Sequence, residues 1–172
     1  MKNNKGVSLV EIIIVIAILS VLGVSTFGGI HYLRYGNAKR CAYEIDAALN
    51  KIRLENMSKA EKANLYIYQY GGHYYMRVSP SSPTAALLNG NGTELGNNQF
   101  VISYEASTHP GTNVAVGNYA SGNYMTLGFD KSTGELSSNG TGYYERIVII
   151  DRDGTLLYSI RLIQASGKHF IE

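Results

Sequence analysis

The residues that could do chemistry in this sequence are few and far apart. Its four histidines, His31, His73, His109 and His169, are scattered, and neither Gly-x-Ser-x-Gly nor His-x-x-x-His occurs. The single cysteine, Cys41, excludes an intramolecular disulfide, a Cys-x-x-Cys redox pair and a multi-cysteine zinc site. Asp151-x-Asp153-Gly154 begins like a calcium loop but lacks the later ligands, including the bidentate glutamate, and reads as a hairpin turn. Gly90 and Gly92 have neither a Gly-Lys-Ser/Thr ending nor a preceding strand, so they do not make a phosphate loop. The triplets at Asn56, Asn91 and Asn139 match the glycosylation acceptor pattern, which is short enough to arise by chance. These residues give no enzyme, no metal site and no cofactor.

The exception is Glu11, set inside "KGVSLVEIIIVIAILSVLG". Between Val7 and Ile30 it is the only ionisable side chain apart from the flanks. About 24 residues at 1.5 Å each span roughly 36 Å, enough to cross a hydrocarbon core of about 30 Å. Lys2 and Lys5 precede the run and would hold the N-terminus in the cytoplasm, with the chain from about residue 31 outside. A carboxylate at mid-bilayer costs on the order of 2.5–3.5 kcal/mol, less near the interface, so it needs a partner. A cut between Gly6 and Val7 would create a new α-amino group four residues from Glu11. A neighbouring copy shifted along its axis could then set that amine against the carboxylate, exchanging two isolated charges for one pair.

"KGVSLVEIIIVIAIL" closely resembles the class III leader and N-terminal helix of type IV pilins and type II secretion pseudopilins. The resemblance implies that Gly6 ends the leader, that a prepilin peptidase cuts there and methylates Val7, and that Glu11 is the assembly glutamate. Valine stands where phenylalanine is usual at the first mature position. The partners it implies are other pilin or pseudopilin subunits, the prepilin peptidase, an inner-membrane assembly platform and membrane lipid. In that family part of the helix melts on assembly, which makes Gly23, Gly28 and Gly29 sites of flexibility; a hinge between membrane and domain is the alternative.

Four elements must position this segment: a leader (1–6), a transmembrane and assembly helix (7–30), an amphipathic helix (31–63) and a β-rich domain (64–172). Gly28, Gly29 and Gly36 predict a local break, each costing a helix about 1 kcal/mol relative to alanine. Ala38, Cys41, Ala42, Ile45, Ala48, Leu49 and Ile52 then share one helical face. Glu55 and Lys59 are an i, i+4 pair, and Ser58 with Glu61 could form a capping box. "NLYIYQYGGHYYMRVS" predicts a hairpin turning at Gly71-Gly72, with one tyrosine-rich face suited to cross-strand pairing and, less directly, to sugar or subunit binding. Residues 79–98 read as a long surface loop. "QFVISYEA", "NYMTLGFD", "ERIVIID", "TLLYSIRLI" and "KHFIE" read as strands, their hairpin order weakly similar to that of the H-type, FimT-like minor pseudopilins.

The fold class expected is therefore α+β, a long N-terminal helix packed on one antiparallel sheet. Without Lys2 and Lys5 the basic and acidic residues are equal in number, which gives composition no case for nucleic-acid binding. Arg161, Lys168 and His169 cluster only loosely. The expected function is a minor pilin or pseudopilin in a pilus, secretion or competence filament, first in the cell membrane and then in an extracellular or periplasmic filament. The rival is an adhesive or ligand-binding domain on a simple anchor.

Overall fold

The computed structural model describes residues 8–58, 61–138 and 142–172, with side chains for all of these except 24–31. Among these residues it is α+β, with one α-helix, α1 (Leu9–Ser58), and nine strands. The chain divides into two compact units, Met1–Gly36 and Asn37–Glu172.

In the first unit, helical hydrogen bonding begins where Ile12 N donates to Ser8 O at 3.2 Å. Every apolar side chain from Leu9 to Leu22 is exposed, on all sides of the helix. α1 takes in Gly23, Gly28, Gly29 and Gly36, so its backbone does not show the break expected there. The expected span 7–30 lies partly outside the described residues. Among those described, no helix is long and apolar enough to cross a membrane.

The second unit begins with the amphipathic part of α1. Ala38, Cys41, Ala42, Ile45, Leu49 and Ile52 are fully buried, at the three- and four-residue spacing that one helical face requires. Burial of each large side chain among them contributes about 1.5–3 kcal/mol. The helix is described as far as Ser58, and residues 61–63 are not helical, short of the expected end near residue 63. Ser58 does not start a capping box; its hydroxyl donates to Glu55 O. Instead the buried Asn56 side chain ties the helix end to the first strand: Nδ2 donates to Ala63 O and Oδ1 accepts from Ala63 N, both at 2.9 Å. Lys59 lies outside the described residues.

The strands are β1 (Asn64–Tyr70), β2 (His73–Ser79), β3 (Thr93–Gly96), β4 (Phe100–Ala106), β5 (His109–Ala115), β6 (Met125–Leu127), β7 (Tyr144–Asp151), β8 (Leu156–Ile163) and β9 (Lys168–Ile171). A short 3-10 helix (Gln164–Ser166) precedes β9. They form two antiparallel sheets rather than one, ordered β3-β2-β1-β6 and β5-β4-β7-β8-β9. At one edge β6 pairs with β1 over three residues, after which the chain enters the Phe129–Leu136 bridge. Both sheets pack on α1: Leu65 and Ile67 of the first sheet and Ile102, Ile147, Ile149 and Ile160 of the second lie in one core with the helix face. Tyrosines link the layers. Tyr74 stacks on Phe100 with centroids 6.2 Å apart, and Tyr144 Oη accepts from Thr126 N.

The β1–β2 hairpin turns at Gly71-Gly72, both with positive φ (59° and 82°), as a two-residue mirror-image turn requires. The turns at Gly134 and Gly154 also use left-handed glycines. Residues 79–98 are not simply a surface loop, since they contain β3 and cover one face of the first sheet.

Candidate assembly segment and the surfaces of the globular unit

Of the expected site residues, Gly6 and Val7 lie outside the described residues. Glu11 sits in the first turn of α1, where a carboxylate interacts favourably with the helix dipole. Its side chain is exposed and borders a shallow groove of about 300 Å³ with Ile12, Val15 and Ile16. Among the described residues of Leu9–Gly23 it is the only ionisable side chain, and none of them pairs with it. At Gly23 a Cβ would meet nothing within 4 Å, so no packing constraint calls for glycine there. The side chains around Gly28 and Gly29 lie outside the described set.

The tyrosine face of the β1–β2 hairpin is not open. Leu65 and Ile67 point into the main core, whereas Tyr66 and Tyr68 point the other way and are completely buried with Leu88 in a second cluster. The segment after β2 covers them like a strap. Tyr66 Oη donates to Ser81 O at 2.9 Å, Tyr68 Oη to Asn89 O at 2.6 Å, and Arg77 to Leu87 O at 3.0 Å. Burial pushes the Tyr68 hydroxyl up from its ordinary value, offset in part by Arg77. Gly92 belongs to this strap: a Cβ there would fall 2.6 Å from Tyr68 Oη and 2.8 Å from Met76 O, a packing reason for glycine where a phosphate site was discounted. This closed face counts against the adhesive reading, which drew on these strands.

Cys41 is buried in the core against the sheets, and its thiol is pushed up by burial first and by Glu44 second, with Arg40 opposing. It is a core side chain and not a nucleophile. Asp130 accepts from the hydroxyls and backbone N–H groups of Ser132 and Thr133, and these bonds, led by the Ser132 hydroxyl, hold its carboxyl well below the usual range. That is turn construction. Asp151 and Gly154 likewise close the β7–β8 hairpin, with Asp151 N donating to Thr155 O at 2.8 Å. Among the described residues no group of three metal-ligating side chains comes together. Asn56 is too buried to accept a glycan in the folded unit, and Asn139 lies outside the described residues.

The loose basic cluster separates. His169 points inward, its side chain only 2 % exposed, with Nε2 3.3 Å from Asp46 Oδ1 on α1. Arg161 and Lys168 occupy the opposite, solvent face of the second sheet. Of the other histidines whose side chains are described, His73 pairs with Glu94 across β2 and β3, and His109 is exposed at the start of β5.

Residues 1–27 match the prokaryotic N-terminal methylation motif. This motif is the one the leader's resemblance to type IV pilin-like proteins led us to expect. The match covers Gly6, Val7, Glu11 and Gly23 and stops short of Gly28 and Gly29. No curated protein and no solved structure matches the chain. The resemblance drawn from the leader residues is therefore matched by the family model over residues 1–27.

Proposed function

We propose that this pilin-like chain is a minor pilin or pseudopilin of a type IV pilus, type II secretion or competence filament. It is inserted through 7–30, cut after Gly6, methylated at Val7 by a prepilin peptidase, and delivered to an inner-membrane platform for assembly. The observation that carries this reading is the methylation motif over a helix that is apolar on all sides and bears one carboxylate. A helix with no polar face belongs in lipid or in the core of an assembly, and Leu9–Leu22 is exposed among the described residues. Both environments would be used in turn: lipid before assembly, neighbouring helices after it. Glu11 then sets register by accepting the methylated amine of an adjacent subunit. Gly23, Gly28 and Gly29 allow the helix to adjust between the two surroundings. The globular unit stays outside and does no catalysis.

The test is the intact mass and N-terminal sequence of the protein from native membranes, with and without the prepilin peptidase. A mature chain beginning at methylated Val7, and lost without that enzyme, is the expected result. A start near Thr26, as an ordinary secretory signal cut after the small residues Gly23 and Ser25 would leave, or an uncut Met1, overturns it. Glu11→Ala should leave the protein in the membrane and out of filaments; a simple anchor would tolerate the change.

A further inference from the structure

The second sheet turns one face to α1 and the other to solvent. On the solvent face, register sets Glu105 of β4 opposite Arg146 of β7, Arg146 opposite Arg161 of β8, and Arg161 opposite Phe170 of β9. One row thus runs acid, base, base, aromatic across four strands spaced about 4.8 Å apart. Like charges directly opposite each other destabilise a sheet, so the two arginines need an anion. Among the described residues, the one that reaches both is the Glu172 carboxylate, 3.6 Å from Arg146 and 3.9 Å from Arg161. A charge-assisted hydrogen bond would be about 2.7–2.9 Å. Glu172 therefore shares its charge in partly exposed surroundings without engaging the planar donor forks. Among the described residues no acceptor hydrogen-bonds either guanidinium.

The ground around the pair is shaped for more than a lone ion. Val148 and Ser159 form a low floor beside the arginines, almost closed to solvent. Ile163 and Phe170 flank Arg161 and are 40 % and 51 % exposed. Glu105 and Glu145 border a polar cleft with Tyr143, Arg146 and Arg161.

We propose that this face docks an acidic, apolar segment of a partner polypeptide, whose carboxylate replaces Glu172 across Arg146 and Arg161. Two guanidinium forks on one side of a sheet offer a carboxylate the bidentate geometry that Glu172 leaves unused. Phe170 and Ile163 take the neighbouring apolar side chain. Glu105 and Glu145 repel a continuous anionic backbone, which favours a peptide over nucleic acid. The Glu172 side chain is then an internal competitor that lowers apparent affinity by the fraction of time it occupies the pair. The inference does not rest on filament assembly and is tested on the single chain.

The experiment follows the arginine Nε–H resonances of the full chain in detergent micelles during titration with N-acetyl-Phe-Glu-amide. The expected result is saturable shifts at Arg146 and Arg161, with N-acetyl-Phe-Gln-amide giving none. Glu172→Gln should tighten binding about two- to five-fold, the range that displacing one exposed ion pair allows. Arg161→Gln should weaken it at least about ten-fold, with Arg146→Gln as the second variant if the first unfolds. Absence of saturable binding, or affinity unchanged or weakened in Glu172→Gln, overturns the proposal. So does tighter binding of a single-stranded oligonucleotide than of the peptide, which would give the site to nucleic acid.

Discussion

Gly167→Ala tests how α1 is held to the turns beyond the sheets. Gly167 follows the 3-10 helix with φ +61°, and a Cβ built on it would collide with the carbonyl oxygen of Gly134 while lying 3.0 Å from Arg53 Nε and 3.1 Å from Phe129 Cδ1. Gly134 O is itself the acceptor for Arg53 Nε of α1 at 3.2 Å. Alanine in the left-handed region costs about 1–2 kcal/mol. Backbone cannot yield as a flexible side chain can, so the turn at Gly134 must move, adding about 1–3 kcal/mol of overpacking and loosening a hydrogen bond worth about 1 kcal/mol. The sum is about 4 kcal/mol, or a fall in Tm of about 15 °C for a unit of this size. Gly154→Ala is the control: its φ of +82° demands the same backbone strain, but nothing lies within 4 Å of the added carbon. It should cost about 1–2 kcal/mol. Thermal and urea unfolding of the full chain in micelles, followed by circular dichroism, measures both. If the two variants unfold within about 1 kcal/mol of each other, the crowded junction contributes nothing beyond backbone strain and the reasoning fails.

Three further outcomes follow from the same coordinates. Cys41 should resist alkylation by iodoacetamide in the folded protein and react on denaturation; prompt reaction under native conditions would contradict its place in the core. Tyr68→Phe should destabilise the unit by about 1 kcal/mol and speed limited proteolysis between residues 80 and 92, because Asn89 O loses its donor; unchanged cleavage would mean that Leu88 alone holds the strap. Asp130 has a folded pKa below its unfolded one, so its contribution is fully present above the ordinary carboxylate range and is lost as pH falls through the lowered folded value. The stability gap between wild type and Asp130→Asn should accordingly narrow only in strong acid, and a gap that closes near neutral pH would refute the assignment.

How much of this was legible in the sequence depended on whether the signal was local. The buried face of α1 obeyed its periodicity, and Gly71-Gly72 marked its turn, because both are set by near neighbours. β3 was missed because "TELG" is four residues long inside a glycine-rich tract, and Gly96 is there to admit the Phe100 ring. β5 was missed because "HPGTNVA" carries Pro110 and Gly111 on an exposed edge, where a lost ladder hydrogen bond is tolerated. Division into two sheets could not be read from strand patterns, since pairing partners lie far apart in the chain. Asn56 looked like a surface triplet, and only the fold shows Ala63 and Phe129 converging on its amide. For the candidate assembly segment the reverse holds: Gly6, Val7 and Glu11 are a spacing in the sequence, set by partners outside a single folded chain.

Among the described residues, polar cross-ties fasten the C-terminal part of α1 within the globular unit: Asn37 to Gln99, Asp46 to His169, Arg53 to Gly134, and Asn56 to Ala63 and Phe129. They reach the approach to β4, the start of β9, the chain just before β1, and the Phe129–Leu136 turn, which takes two of them. A tensile load entering along the helix is therefore divided among several anchor points in parallel, and no single loop has to bear it. Rupture of one tie passes its share to the rest instead of starting an unzipping. The same arrangement delays completion during synthesis, because the tie to His169 can form only once nearly the whole chain has emerged.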